Sequence, residues 1–229
     1  MKITKISPNV YQLTKWIVMN AYLVRESDGF TLVDTLVSGQ GEAILAAAES
    51  LDTPIRRITL THAHVDHAGA LDEIAAKLPD AEILLGTQTA QFTSGDMALM
   101  DDQPDFPLKG GFVPCQTRPT RMLAEGDTIG SLRVVASPGH SPDHLSFFDT
   151  RDRVLIAGDA FQTAGGLAVT GDLRLLFPLP AIATWHKPTA LESAKKLAAL
   201  EPAWLAVGHG QALANPAPAL TRVIARAAR

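Results

Sequence analysis

The sequence predicts an α/β fold in which two β-sheets pack face to face with helices outside. Strand-rich blocks followed by helices occur twice, once before about residue 95 and once after about 125, and no low-complexity linker divides them. At 229 residues, with 46% hydrophobic and 19% charged side chains, the composition is that of one substantial domain, residues 1–229, with a well-buried core.

The elements follow in order. Val10 to Leu13, Ile17 to Val24 and Phe30 to Val33 read as strands, with Ser27-Asp28-Gly29 as a hairpin turn. Asp34 ends the third strand, where loops that carry chemistry begin in layered folds. Gly39 to Leu51 has Ile44, Leu45, Ala48 and Leu51 near helical spacing, and Pro54 separates it from a strand over Ile55 to Leu60. Ala70 to Leu78 places Leu71, Ile74, Ala75 and Leu78 on one helical face, and Ala81 to Leu85 returns as a strand. From Thr87 to Arg121, prolines at 104, 107, 114 and 119 with Gly110-Gly111 deny long regular elements. The apolar residues there, between Met97 and Phe112, would serve a flap over a pocket, a homodimer contact or a loop packing on itself. Thr128 to Ala136, Leu145 to Phe148 and Arg153 to Ala157 read as strands. Thr189-Ala190-Leu191-Glu192 is a capping box for a helix to Leu200. Ala203 to Val207 is a last strand and Pro216 to Arg229 a last helix.

Charge and composition exclude several function classes. A formal charge of −4 gives no basic footprint for nucleic acid. No apolar run approaches the ~20 residues that cross a bilayer, and Met1 to Lys5 has no apolar signal-peptide core, so the expectation is a cytoplasmic protein acting on a small molecule. The single cysteine, Cys115, has no partner for a disulfide or a CxxC motif.

The chemistry concentrates in Thr61-His62-Ala63-His64-Val65-Asp66-His67, directly after an apolar strand. Alternate side chains of an extended segment share a face, so His62 and His64 point the same way. Asp66 and His67 lie at the turn into the next helix and are placed for a neighbouring metal. Further candidate ligands stand after strands: His140 in Pro138-Gly139-His140, Asp159 in Gly158-Asp159, and His209 in Gly208-His209-Gly210. A glycine abuts each one, permitting the sharp turn that aims a side chain outward.

His62-x-His64-x-Asp66-His67, followed by His140, Asp159 and His209, resembles the metallo-β-lactamase fold superfamily, from Asp34 to His209. The resemblance implies a four-layer αββα sandwich of two mixed sheets with a two-metal centre at one edge. It implies that His62, His64 and His140 hold one ion, that Asp66, His67 and His209 hold the second, and that Asp159 bridges them. Neutral imidazoles and carboxylates suit zinc, with Mn2+ or Fe2+ as alternatives. Two ions ~3.5–4 Å apart lower the pKa of a bridging water towards ~7, and that hydroxide would attack a carbonyl. Asp66 is the candidate to orient it and take its proton. Asp34 is a candidate to buttress a ligand histidine, and His144 has a supporting role beside the ligands. Phe161, Gln162 and His186 are candidate pocket residues.

Several branches rank low. Class B β-lactamases carry Cys or Ser where Asp159 stands; the family's nucleases are longer and more basic; flavodiiron proteins replace a cluster histidine with an acidic residue. The expected activity is hydrolysis of a small ester or lactone. A thioester hydrolase similar to glyoxalase II is one alternative, and a one-iron enzyme similar to persulfide dioxygenases is another. The quorum-quenching lactonases place a tyrosine where Gln162 stands, so Phe161 and Gln162 would line the pocket differently.

Overall fold

A computed structural model describes residues 1–229. β1 (Lys2–Lys5), β2 (Val10–Lys15), β3 (Met19–Arg25) and β4 (Phe30–Val33) form an antiparallel meander. Helix α1 (Gly41–Glu49) then leads to β5 (Ile55–Thr59), which pairs parallel with β4. Helices α2 (Val65–Ala68) and α3 (Leu71–Lys77) lead to β6 (Glu82–Gly86). Helix α4 (Thr87–Thr93) and a loop lead to β7 (Arg121–Leu123), completing a seven-stranded sheet in sequence order.

The second sheet begins with β8 (Thr128–Ile129), β9 (Leu132–Ala136), β10 (Leu145–Asp149) and β11 (Val154–Ile156), all antiparallel. A small ribbon, β12 (Phe161–Gln162) with β13 (Ala168–Val169), precedes α5 (Leu179–Ile182) and α6 (Lys187–Ala198). β14 (Trp204–Ala206) pairs parallel with β11, β15 (Leu213–Ala214) closes the edge, and α7 (Ala217–Ala227) follows.

Strand alternation explains the layers. On β3, Ala21 and Leu23 face the core shared with α1 and α3, while Tyr22 and Val24 face the opposite sheet. On β11, Val154 and Ile156 face the first sheet, while Leu155 faces α6 and α7 through Ala194, Leu197, Leu220 and Val223. Both faces of each sheet are therefore buried, which is why these strands read as unbroken apolar runs. Three apolar layers separate four structural layers, the expected αββα sandwich. Each large side chain so buried contributes ~1.5–3 kcal/mol.

Four local expectations need correction. The run 128–136 is a hairpin: Gly130, at φ +55°, turns the chain between Ile129 and Leu132, which pair. The stretch after Thr87 opens with a regular helix, α4, held by burial of Ala90 and Phe92 despite its polar sequence. Ile17 and Val18 are not strand but belong to a hairpin tip, where Trp16 has φ 47° and Ile17 φ 72°. The capping box is unused: α6 starts at Lys187, because Pro188 with its fixed φ sits in the first turn, and Thr189 Oγ1 pairs instead with His186 Nδ1 at 2.7 Å.

Asp149, fully buried at the end of β10, staples the second sheet. Its Oδ1 accepts from the backbone N–H of Arg151 at 2.8 Å and of Asp152 at 3.2 Å, and Oδ2 accepts from Arg151 Nη2 at 2.7 Å. Burial opposes its ionisation, but the Arg151 guanidinium and the two amides hold its carboxyl below the ordinary value. A depressed carboxyl pKa contributes stability above the unfolded value and loses it as pH falls through the folded one, here below about pH 4. Asp149→Ala removes these acceptors, leaving Arg151 to Glu26 and solvent, and is expected to cost about 1–2 kcal/mol in urea unfolding at pH 7.

Candidate metal centre

The segment after β5 stays extended through His64, then turns at once into α2. The imidazoles of His62 and His64 consequently converge, with His62 Nε2 3.0 Å from His64 Nδ1. His140, in the turn between β9 and β10, brings its Nε2 to 3.1 Å from the same His64 nitrogen. Asp66 and His67, on α2, face His209 from the turn after β14, whose Nε2 lies 3.2 Å from Asp66 Oδ2. Asp159, in the short turn after β11, reaches both groups: 3.3 Å to His140 Nε2, 3.1 Å to His209 Nε2 and 3.5 Å to His67 Nε2. All seven predicted residues are thus brought together as two triads with a carboxylate between them.

The outer hydrogen bonds decide which ring nitrogens carry protons. Thr61 Oγ1 donates its one proton to Asp34, so it accepts from His62 Nδ1 at 3.0 Å. Thr184 Oγ1 donates to the Pro180 carbonyl and so accepts from Thr170 Oγ1. That commits Thr170 to accept from His140 Nδ1 at 3.0 Å. His64 Nε2 donates to the Lys109 carbonyl at 2.9 Å, and His67 Nδ1 donates to Asp34 Oδ2 at 2.8 Å. In His62, His64 and His140 the nitrogen left bare is the one facing the other ligands; His67 turns its Nε2 the same way, and His209 Nδ1 has no hydrogen-bond partner. Bare lone pairs on His62 and His140, 3.0 and 3.1 Å from that of His64, repel it unless a cation lies among them. His67 Nε2 and Asp159 Oδ1 are buried and unpartnered, aimed into the same space. These donors fit two divalent ions with nitrogen and oxygen ligands.

Electrostatics separates the triads. Burial, reinforced by neighbouring imidazoles, pushes His62 well below the ordinary value, and burial does the same to His64 and His140. Burial also lowers His67 and His209, but carboxylates reverse this. Asp34, Asp159 and Asp66 hold His67 well up, and Asp159 and Asp66 raise His209 to about 9. Burial resists ionisation of Asp66 and Asp159, yet the facing imidazoles keep both carboxyls low.

The supporting candidates divide. Asp34 orients His67 and also accepts from the Thr61 backbone N–H at 2.7 Å. His144 turns its Nε2 to the Asp159 backbone N–H at 3.0 Å, so it positions that turn and offers no lone pair to an ion. Phe161 and Gln162 do not line the cavity. Phe161 is fully buried in the core under α6 and α7, and the Gln162 side-chain NH2 donates to the carbonyls of Ala164 and Phe177. His186 lies outside the cavity wall, packed on Phe106 at the start of α6.

Other residues had no signal in the sequence reading. Gln12 and Asn20 hold the Gly210 carbonyl, and Tyr22 Oη donates to the Val207 carbonyl at 2.6 Å, so the first sheet clamps the His209 turn. Asp143 Oδ2 accepts from the Ala63 N–H at 2.9 Å, between two ligands, and burial raises its carboxyl to about 6. A Cβ at Gly208 would overlap Asp159 Oδ1 and the His67 ring, so only glycine permits this approach. Thr170→Val keeps the side chain's shape but removes the acceptor for His140. It is expected to weaken metal binding at that triad by about tenfold in chelator competition.

The centre floors a cavity of ≈ 180 Å³ walled by Met19, Gly110, Gly111, Phe177, Pro180 and Ala183. No helix is long and apolar enough to cross a membrane.

Comparison with known proteins agrees with this geometry. The family model described as the metallo-beta-lactamase superfamily matches residues 15–209. The chain is 43% identical over 231 residues to "Uncharacterized protein YobT" of Bacillus subtilis (strain 168), covering 99% of each. It is 31% identical to "Probable metallo-hydrolase YflN" of the same organism, over 84% of this chain and 81% of that one. It is 26% identical to the hydroxyacylglutathione hydrolase of Francisella tularensis subsp. novicida (strain U112), over 67% of this chain and 54% of that one. Among solved structures, DIM-1 metallo-β-lactamase exposed to ceftazidime superposes with a TM-score of 0.73 at 15% identity, covering 100% and 97% of the two chains, which is a likeness of fold.

Proposed function

Because the chain belongs to the metallo-β-lactamase superfamily of metal-dependent hydrolases, we propose that it is a single-domain binuclear enzyme that hydrolyses a small ester or lactone. The observation that carries this reading is the convergence of two donor triads on Asp159 at the floor of an open cavity. A structural zinc needs only four closed ligands. Seven donors, five of them lining an open cavity, suit catalysis instead.

His62, His64 and His140 would hold one ion, Asp66, His67 and His209 the other, and Asp159 both. Zinc is the first choice for these ligands, and the two ions would supply an activated water at neutral pH and an electrophile for a carbonyl oxygen. The chain's own residues do the rest. Asp66, with 24% of its side chain exposed against 3% for Asp159, is the site carboxylate able to exchange protons with the cavity. Its carboxylate would orient the attacking water and take its proton. Asp34, Thr61, Thr170 and the Lys109 carbonyl keep the imidazoles aimed without further reorganisation. Gly110 and Gly111 on one side and Pro180 and Ala183 on the other narrow the space around the reacting group.

Likeness to hydroxyacylglutathione hydrolase supports a second reading, a thioester substrate. One panel separates the two: γ-lactones, simple esters, S-lactoylglutathione, phosphodiesters and a cephalosporin, each with zinc-, manganese- and iron-loaded protein. Turnover of esters or lactones above the others supports the first reading. S-lactoylglutathione as the best substrate replaces it with the second.

A further inference from the structure

The cavity over the ligands is too small to hold a whole substrate. At ≈ 180 Å³ it falls below the ~300–1,000 Å³ of ordinary small-molecule sites, so it takes a reacting group and little more. A groove of ≈ 540 Å³ adjoins it and shares Val18 and Phe177 with its wall. Ile17, Leu167, Leu176 and Leu213 supply much of the rest of that groove.

The rim is unusually apolar for a surface. Ile17 is 86% exposed, Leu176 88% and Leu175 87%, and Trp16, Leu179 and Ile182 stand open nearby in sequence. Scattered single apolar residues need no explanation, but a cluster around a cleft does. The hairpin tip that presents Ile17 is also held at a cost. A β-branched residue at φ 72° beside Trp16 at φ 47° is a conformation worth roughly 1–3 kcal/mol of strain per residue. Its base is pinned by Gly210 N–H donating to the Val18 carbonyl at 3.0 Å, so the tip overhangs the groove next to the His209 turn.

The groove carries no charged side chain, and neither it nor the cavity includes Lys or Arg; Lys2 and Lys5 line a different pocket that shares Ile17 with the groove. The Arg174 guanidinium, close in sequence, is spent on the carbonyls of Gly166 and Leu167. Anionic arms such as a glutathionyl or phosphoryl group would find no cation here.

We propose that the groove between Ile17 and Leu176 binds the uncharged apolar arm of the substrate while its ester or lactone carbonyl lies in the cavity beside Asp66. This rests on the hydrolase reading above and names its substrate class: neutral acyl or alkyl esters and lactones with a chain of several carbons.

The test has a binding arm independent of turnover. Protein stripped of metal with a chelator is titrated with the neutral fluorophore N-phenyl-1-naphthylamine, then with decanol as competitor. Saturable binding displaced by decanol, and weakened at least about tenfold by Leu176→Asp or Ile17→Asp, is expected. The zinc-loaded enzyme is then assayed on p-nitrophenyl esters from two to ten carbons. Each methylene seated in the groove should raise kcat/KM by about two- to fourfold until the groove is filled, the gain expected from burying a CH2. Leu176→Asp should flatten that slope, while Met122→Asp, on edge strand β7, should not. A flat chain-length profile with no decanol competition overturns the groove assignment even if esters are hydrolysed. Probe binding without hydrolysis of any ester or lactone leaves the groove and removes the ester or lactone reading. Light scattering that shows a wild-type dimer dissociated by Leu176→Asp, with the chain-length slope unmoved, would give the patch to a second copy and also overturn the proposal.

Discussion

Asp159→Ala is expected to bring ester hydrolysis down by more than the roughly 10–100-fold that an outer partner contributes, and to lower bound metal from two ions to one or fewer per chain. The expectation follows from where the carboxylate sits. Its oxygens lie within 3.5 Å of His140 in one triad and of His67 and His209 in the other. Its removal exposes the imidazoles of His67, His140 and His209 to one another and to two cations with one fewer anion between them. His64→Ala should be equally severe, since its Nδ1 stands between His62 and His140. Metal analysis on purified variants, with unfolding curves to show that the fold survives, separates loss of metal from loss of structure. An Asp159→Ala enzyme with one ion and full activity would sink the two-metal mechanism.

Zinc uptake by the metal-free protein should release protons unequally at the two triads. His62, His64 and His140 are already neutral at pH 7, because burial holds their imidazoles low. His209, raised to about 9, is protonated at pH 7 and must lose that proton before it can bind a cation, and the carboxylates around His67 shift it in the same direction. The first ion should therefore release almost no imidazole protons and the second at least one, beyond any proton given up by bound water. As pH falls, the second site should empty first. Calorimetry in buffers of different ionisation enthalpy reads the difference directly. Equal release for both ions would contradict the assignment of charge.

Much of the site was legible because its ligands sit where strand geometry ends. The period of two puts His62 and His64 on one face, and glycine beside His140, Asp159 and His209 announces the turns that aim them. Their ring orientations were not legible. They depend on partners with no fixed spacing: the Lys109 carbonyl, which has no side-chain identity to read, and Thr170, whose role is set by Thr184 and Pro180. The clamp of Gln12, Asn20 and Tyr22 on the His209 turn joins residues about 190 apart. No local pattern encodes such a pairing.

The fold shows the same division. Strands buried on both faces were visible as apolar runs, while α4 was hidden because Thr87 to Thr93 is polar and becomes helical only by packing Ala90 and Phe92. The Gly130-Ser131 hairpin carried its signal, a glycine opening a two-residue turn, but lay inside a run that read as one strand. Phe161 and Gln162 failed as pocket residues for a related reason: proximity in sequence to Asp159 does not carry across the chain reversal that sends Phe161 into the core.

Anomalous diffraction from crystals of the zinc-loaded protein is the most direct test of the central claim. Two peaks are expected, one bounded by His62, His64 and His140 and one by Asp66, His67 and His209, with Asp159 touching both. A single peak, with Asp66 and His209 bonded only to each other or to water, would contradict it.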